Sequence, residues 1–377
     1  MKLVYLDNAA TTKMSKKVVE EMIKSFEDIY GNPSSTHTLG QKAKAVVENA
    51  RHIVAKNLKV EAKEIVFTSG GAEGNNLVIK GFLKQNKDKG KHIITTKIEH
   101  STVLKTFESL EKQGYDITYI DVTKDGIIDV EKLKKAVRKD TALVSVMFVN
   151  NETGVIQPIK EIGEFLKEKE IFFHTDAVQA IGKFEIYPKE LRIDALTVSS
   201  HKFYGPKGTG FVFIDKKYNI EKEIFGGSQE RNRRAGTENV NGILGTGVAL
   251  EEVYEKMEVI FEHEKKIQEY LEEKLKNEIG RIQKVEINGE NSRRVKNITN
   301  VFIESTDIQM LLVALDMRGI CVSGGSACMS GSLENSYVLK AMGLNDEKLK
   351  SSFRISIGKD TTIEEIDYFI ENLKEII

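Results

Sequence analysis

Residues 64–76 read EIVFTSGGAEGNN, and the way they fold decides the architecture of the chain. A β-rich run ends at Ser69, two glycines turn the backbone, and a helical segment follows. The same alternation continues to residue 215. Further β-rich runs are HIITTK (92–97), DITYID (116–121), ALVSVMFV (142–149), IFFHTD (171–176), DALTVSS (194–200) and GFVFID (210–215). Between them lie Lys/Glu-rich segments with helical periodicity, among them DVEKLKKAVR (129–138) and IKEIGEFLKEKE (159–170). This alternation predicts an α/β fold with a mostly parallel sheet covered on both faces. Ligands in such sheets bind beyond the C-terminal ends of the strands, in the loops that follow.

The texture changes after about residue 245. Apolar residues at 253, 257, 260, 267 and 271 have helical spacing and predict one helix over 253–279. It reads as a surface helix leaning on a core, or as a coiled coil for a partner. Shorter β-like runs and a final helix, TIEEIDYFIENLKEI (362–376), predict a smaller α+β unit.

At 377 residues the chain is long enough for two units and a large core. Charged residues make up 30% and nearly cancel, leaving a formal net charge of -1. That balance argues against nucleic acid or an anionic membrane as partner. No apolar run reaches the roughly 20 residues of a membrane helix. The opening MKLVYLDNAATTK is broken at Asp7 and does not read as a signal peptide. Two cysteines support neither a disulfide framework nor a zinc pattern, so a cytoplasmic location is expected.

Three strand ends carry chemistry. Gly70 and Gly71 make either a plain turn or an anion cradle built from backbone N–H groups ahead of a helix. Asp176, in HTDAVQAIG (174–182) with Gln179 three residues on, suits a helix cap, a metal, a ribose or a protonated ring nitrogen. Lys202, in SSHKFYGPKGTG (199–210), is either a solvated loop lysine or a Schiff-base nucleophile; Ser199 and His201 beside it offer hydrogen bonds to a phosphate. Together, a phosphate cradle, a strand-end Asp and a strand-end Lys are what pyridoxal phosphate requires. His100, in KIEHSTV (97–103), could stack on the ring and shuttle protons.

These stretches, with YLDNAATT (5–12), GNPSSTH (31–37), VNNETGVIQP (149–158), GGSQERNRRAGTENV (226–240), SGGSACMSGSLENSYVLKAMGL (323–344) and SSFRISIG (351–358), resemble cysteine desulfurases of the NifS/IscS type almost end to end. That family lies in the class V aminotransferase group of fold-type-I pyridoxal-phosphate enzymes. The resemblance implies a large sheet domain of seven strands over 14–255, and a small domain formed by 1–13 with 256–377. It implies that Lys202 holds the cofactor, Asp176 pairs with its ring nitrogen, Gln179 bonds its ring hydroxyl, and His100 stacks on it. The phosphate would rest on the Gly71 and Ala72 backbone, Ser199 and His201, with Thr237 reaching it from the second subunit of a homodimer. Asn151 and Arg354 would grip the carboxylate of L-cysteine.

Cys328 falls on the family's nucleophile. It would take the substrate sulfur as a persulfide, release L-alanine and pass sulfur to an acceptor such as an iron–sulfur scaffold. No metal site is implied, apart from Cys328 as a transient iron–sulfur ligand. The spacing from Cys328 to SYVLKAMGL matches members with a long active-site loop, and the Gly/Ser-rich setting predicts a mobile one. Selenocysteine lyase or another class V enzyme is the alternative. Two positions depart from the family pattern: Ala72 stands where a Thr is usual, and Phe148 where a His is often found. Cys321 reads as a small apolar strand residue, or as a thiol that could resolve the persulfide.

Overall fold

A computed structural model of the chain describes residues 2–324 and 335–377. The first part contains β1 (Val4–Tyr5), α1 (Lys16–Asp28), α2 (Thr38–Leu58), β2 (Ile65–Thr68), α3 (Gly71–Gln85), β3 (His92–Thr96), α4 (Ser101–Glu111) and β4 (Asp116–Ile120). Next come α5 (Val130–Ala136), β5 (Thr141–Ser145), α6 (Ile159–Glu168), β6 (Phe172–Asp176), β7 (Ala195–Ser199) and β8 (Gly210–Ile214). The remainder is α7 (Gln229–Asn232), α8 (Val240–Glu255), α9 (Met257–Asn277), β9 (Val285–Ile287), β10 (Ile298–Ile303), α10 (Ile308–Asp316), β11 (Ile320–Cys321), α11 (Tyr337–Ala341), α12 (Asp346–Lys350), β12 (Ser352–Ser356) and α13 (Ile363–Ile376).

All seven β-rich runs become strands of one sheet, ordered β2-β8-β7-β6-β5-β3-β4. The pairs β3–β4, β3–β5, β5–β6 and β6–β7 are parallel. β8 runs antiparallel to both of its neighbours, β2 and β7. The connection 200–209 explains this, because ten residues with no more than a single 3-10 turn are too few for a parallel crossover.

Alternate strand residues face opposite ways and both faces are buried. Phe211 and Phe213 join one apolar cluster with Ala50, Val54 and Leu58 of α2, Ile243 and Leu250 of α8, and Ile162 and Leu166 of α6. Val212 and Ile214 join another with Leu77 and Phe82 of α3 and Phe107 of α4. Two covered faces are the arrangement of an α/β sheet.

A third cluster lies away from that sheet. It joins Val4 and Leu6 to Leu271 and Leu275 of α9, Val301 of β10, Leu315 of α10, Phe353 and Ile355 of β12, and Phe369 of α13. There β12, β10 and β9 form an antiparallel sheet, and β1 pairs in parallel with β11 through Val4↔Ile320. The final helix starts at a capping box, in which Thr362 accepts from Glu365 N and the Glu365 side chain returns to Thr362 N.

Two sequence expectations need correction. The helix predicted over 253–279 is two helices, α8 and α9, broken at Lys256 with φ -106° and ψ 11°. The run ALVSVMFV is a regular strand only to Ser145; beyond it Val146 N and Phe148 N still bond the His174 and Asp176 carbonyls of β6, and Met147 and Val149 line the cavity.

Candidate active site

One cavity of about 500 Å³ opens where the parallel strands end. Ser69 follows β2, His100 follows β3, Asn151 follows β5, Asp176 closes β6, and Lys202 sits in the turn after β7. Ten of the residues singled out from sequence line it: Gly71, Ala72, His100, Asn151, Asp176, Gln179, Ser199, His201, Lys202 and Arg354. Thr237 is exposed and is not among the lining residues. Cys328 lies outside the described residues, so the expected mobility of its stretch is not described either.

Lys202 is held by the turn that follows β1. Its Nζ donates to the carbonyls of Ala9 at 2.5 Å and Ala10 at 2.7 Å. Gln179 Nε2 donates to the same Ala9 carbonyl at 2.8 Å. Asp176 is 5% exposed; its Oδ1 accepts from Val178 N at 3.0 Å and its Oδ2 from Asn75 Nδ2 at 2.8 Å. His201 Nδ1 lies 3.1 Å from Thr11 Oγ1. Burial, helped by the charges of Lys202 and Lys207, pushes the His201 pKa down to about 4, so the ring is neutral at ordinary pH.

The glycine turn is a bare helix N-terminus. Gly70 has φ +144°, and a Cβ there would stand 3.2 Å from Ser199 Oγ. A Cβ on Gly71 would stand 3.1 Å from Val178 Cγ2. The turn therefore leaves backbone N–H groups of the 15-residue helix α3 open to the cavity, which suits an anion.

Arg354 in β12 is 1% exposed and reaches the same cavity from the second sheet. Its Nη1 donates to the Asn151 carbonyl and its Nη2 to Asp7 Oδ1, both at 2.8 Å. Arg354 Nε and Asn151 Oδ1 are buried without a hydrogen-bond partner among the described residues. Buried polar atoms left this way suit a ligand that brings its own donors and acceptors. Amine, carboxylate, anion cradle and guanidinium on one cavity fit the chemistry of pyridoxal phosphate and an amino-acid carboxylate.

The two departures are now located. Ala72 lines the cavity beside Gly71. Phe148 does not: it is 6% exposed and packs against Phe184, centroids 5.2 Å apart. Cys321 pairs with Tyr5 across β1–β11, and burial, with Asp316 and Asp7, raises its thiol pKa.

Sequence reasoning assigned no role to Ala9, Ala10, Asp7, Asn75 or Thr102. Backbone carbonyls leave no side-chain signal, and Asn75 and Thr102 lie on α3 and α4, where a polar side chain carries no signal of its own. Among the described residues no helix is long and apolar enough to cross a membrane.

The family model for class-V aminotransferases matches residues 4–369. The chain is 48% identical over 378 residues to cysteine desulfurase IscS of Clostridium botulinum, covering 100% of this chain and 94% of that one. It is 47% identical over 380 residues to cysteine desulfurase IscS of Methanosarcina thermophila, covering 100% and 92%. Among solved structures, a NifS-like protein superposes with a TM-score of 0.93 at 38% identity, covering 100% of this chain and 99% of that one. A structure described as SspA in complex with cysteine superposes with a TM-score of 0.84 at 34% identity, covering 95% and 100%. With the whole chain matched and the cavity built at the strand ends of an α/β sheet, the protein belongs to the class V aminotransferase family and, within it, to the cysteine desulfurases.

Proposed function

We propose that the cavity holds pyridoxal phosphate and that the enzyme takes sulfur from L-cysteine onto Cys328, releasing L-alanine. The carrying observation is the convergence of Lys202, Asp176, the Gly70–Gly71 turn and Arg354 on one cavity. Lys202 Nζ is the group that would anchor the cofactor covalently. Asp176 would hold its ring nitrogen, Gln179 its ring hydroxyl, and His100 its face. The Gly71 and Ala72 backbone, Ser199 and neutral His201 would hold its phosphate. When bound, the cofactor supplies an electron sink for charge developing at the substrate's Cα.

Arg354 and Asn151 would fix the substrate carboxylate, which a planar guanidinium matches. Lys202 Nζ would take the Cα proton, and His100 would assist proton transfer. The Cys328 thiolate would attack the substrate sulfur, and the C–S bond would break, leaving a persulfide on Cys328 and L-alanine after protonation at Cβ. The sulfur would pass to an acceptor such as an iron–sulfur scaffold, Cys328 serving at most as a transient iron–sulfur ligand. Cys328 follows Gly324 by four residues, and the backbone of Ser323, just before Gly324, is bonded to that of Arg354.

The large unit would span 14–255, and the small one 1–13 with 256–377. The separate apolar cluster shared by Val4, Leu6 and the C-terminal elements supports that division. We read the protein as a cytoplasmic homodimer in which Thr237 completes the second copy's phosphate site. Ile23 and Phe26, three residues apart on α1 and exposed, with exposed Tyr30 just past its end, support a covered face on the protein.

The test is a Cys328→Ala variant given L-cysteine and a reductant. Alanine and sulfide formation should collapse while the cofactor's absorbance band stays. Normal turnover in Cys328→Ala would remove Cys328 from the mechanism. Loss of the band in Lys202→Ala is expected; its retention rules out Lys202 as the anchor.

A further inference from the structure

Asp176, Asn75, Thr102 and His100 form one hydrogen-bonded line at the cavity wall. Asn75 is fully buried in α3, and its Nδ2 donates to Asp176 Oδ2 at 2.8 Å and to Thr102 Oγ1 at 2.9 Å. Thr102 Oγ1 lies 2.9 Å from His100 Nδ1. The Thr102 backbone N–H meets the same ring nitrogen at 3.3 Å, so His100 caps helix α4 with its own side chain.

The direction of every bond in this line follows from its ends. A carboxylate oxygen accepts, so Asn75 must turn its amino group to Asp176; the flipped amide would set oxygen against oxygen. The same amino group then donates to Thr102 Oγ1. Having accepted there, the hydroxyl has its hydrogen left for His100 Nδ1. A backbone N–H can only donate. His100 Nδ1 thus faces two donors, and in the neutral ring it is the accepting nitrogen.

We infer that Asn75 and Thr102 are positioning residues that hold neutral His100 as its Nε2–H tautomer. Resting on the desulfurase reading above, this gives the ring a direction. His100 begins turnover able to give a proton from Nε2, and can take one there only after giving that proton up. Neither Asn75 nor Thr102 touches the substrate in this account; each acts through the imidazole.

The experiment is imidazole nitrogen–proton correlation NMR on holoenzyme labelled with nitrogen-15 histidine, without substrate. The chain has seven histidines, and His100→Gln identifies the signal. The wild type should show the Nε2–H pattern. Thr102→Val leaves only the longer 3.3 Å backbone N–H on Nδ1, so it should weaken the preference, bring in a fraction of the Nδ1–H tautomer, and lower kcat/KM about 10-fold, a fraction of what acid–base catalysis contributes. Thr102→Ser, which keeps the hydroxyl, should restore both. An Nδ1–H pattern in the wild type overturns the inference, as does an unchanged tautomer in Thr102→Val. A wild-type enzyme with the Nε2–H pattern that releases no sulfur from L-cysteine would support this assignment while overturning the functional reading.

Discussion

The backbone N–H of Arg354 donates to the carbonyl of Ser323 at 2.7 Å, and Ser323 returns its own N–H to Arg354 at 3.2 Å. The chain that leads to Cys328 is thus bonded to the arginine of the cavity. After residue 334 the arrangement repeats with other partners: the Ser336 hydroxyl donates to buried Glu152, and the Tyr337 hydroxyl donates to the carbonyl of Glu99. Glu152 adjoins Asn151, and Glu99 adjoins His100. The stretch that carries Cys328 is therefore fastened on one flank to Arg354 and on the other to the chain neighbours of Asn151 and His100.

Arg354 should act on substrate binding more than on folding. Its fork is aligned by the Asn151 carbonyl and by Asp7, so the guanidinium enters the cavity already oriented. Arg354→Lys keeps the charge and loses the fork. Steady-state kinetics should show KM for L-cysteine rising about 10- to 100-fold, the scale of one charge-assisted hydrogen bond or two. Asp7→Asn should give a smaller rise, because the Asn151 contact remains. An unchanged KM in Arg354→Lys would place the substrate carboxylate elsewhere.

Ala72→Thr should tighten the cofactor. Position 72 lies in the first turn of α3 beside Gly71 and lines the cavity. A hydroxyl there adds a donor to the bare backbone groups, and a hydrogen bond to a charged group contributes about 1.5–3 kcal/mol. Cofactor loss on dialysis, followed by absorbance, should slow by about 10-fold or more. Unaltered retention would mean that the phosphate does not rest on this turn.

Much of this architecture is readable from sequence, for a physical reason. Phe211, Val212, Phe213 and Ile214 are all buried, so the strand shows as an unbroken apolar run whichever way it points. The direction of β8 has no such signature; it depends on the length of the 200–209 connection. The break at Lys256 was hidden because Val253, Met257 and Ile260 keep helical spacing straight through it. In the site, Asp176 and Lys202 stand out as charges that end apolar runs. Asn75 does not, since a polar residue on a helix is usually solvated and only the fold brings it to Asp176. The Ala9 and Ala10 carbonyls that hold Lys202 lie some 190 residues away, and no local pattern announces a backbone acceptor.

Glu230 should matter for stability out of proportion to its place in a short irregular turn. It adopts φ 47°, and its carboxylate takes both Nη1 and Nη2 of Arg51 at 2.7 and 2.8 Å while accepting from Phe67 N. Arg51 is 3% exposed. Glu230→Ala would leave the buried guanidinium without its bidentate partner, with only Glu48 on its Nε and the Ile65 carbonyl remaining, a loss of about 3 kcal/mol. Urea denaturation should register it as a lower midpoint. A shift under about 0.5 kcal/mol, the range of an ordinary surface substitution, would show that the pair is dispensable.

Glu99 should make stability fall as pH rises. Its carboxyl is fully buried next to His100. Oε1 accepts from Thr96 Oγ1 and Met147 N, both at 2.8 Å, while Oε2 has no partner among the described residues. Burial pushes its pKa up to about 8; the two hydrogen bonds oppose that rise and the charge of Asp176 adds to it. The unfolded chain gives up this proton near pH 4.5, the ordinary value for a glutamate, whereas the folded protein keeps it to about 8. Between those values the folded state binds more protons, so each step up in pH favours unfolding. Glu99→Gln puts a neutral group of the same shape there and removes the ionisation. At pH 5 variant and wild type should unfold at similar urea concentrations, with the amide standing in for a neutral carboxyl. By pH 9 the variant should gain on the wild type by an amount on the order of a few kcal/mol. Urea midpoints at pH 5, 7 and 9 measure this directly, and parallel curves for the two proteins would show that Glu99 is not protonated in the folded enzyme.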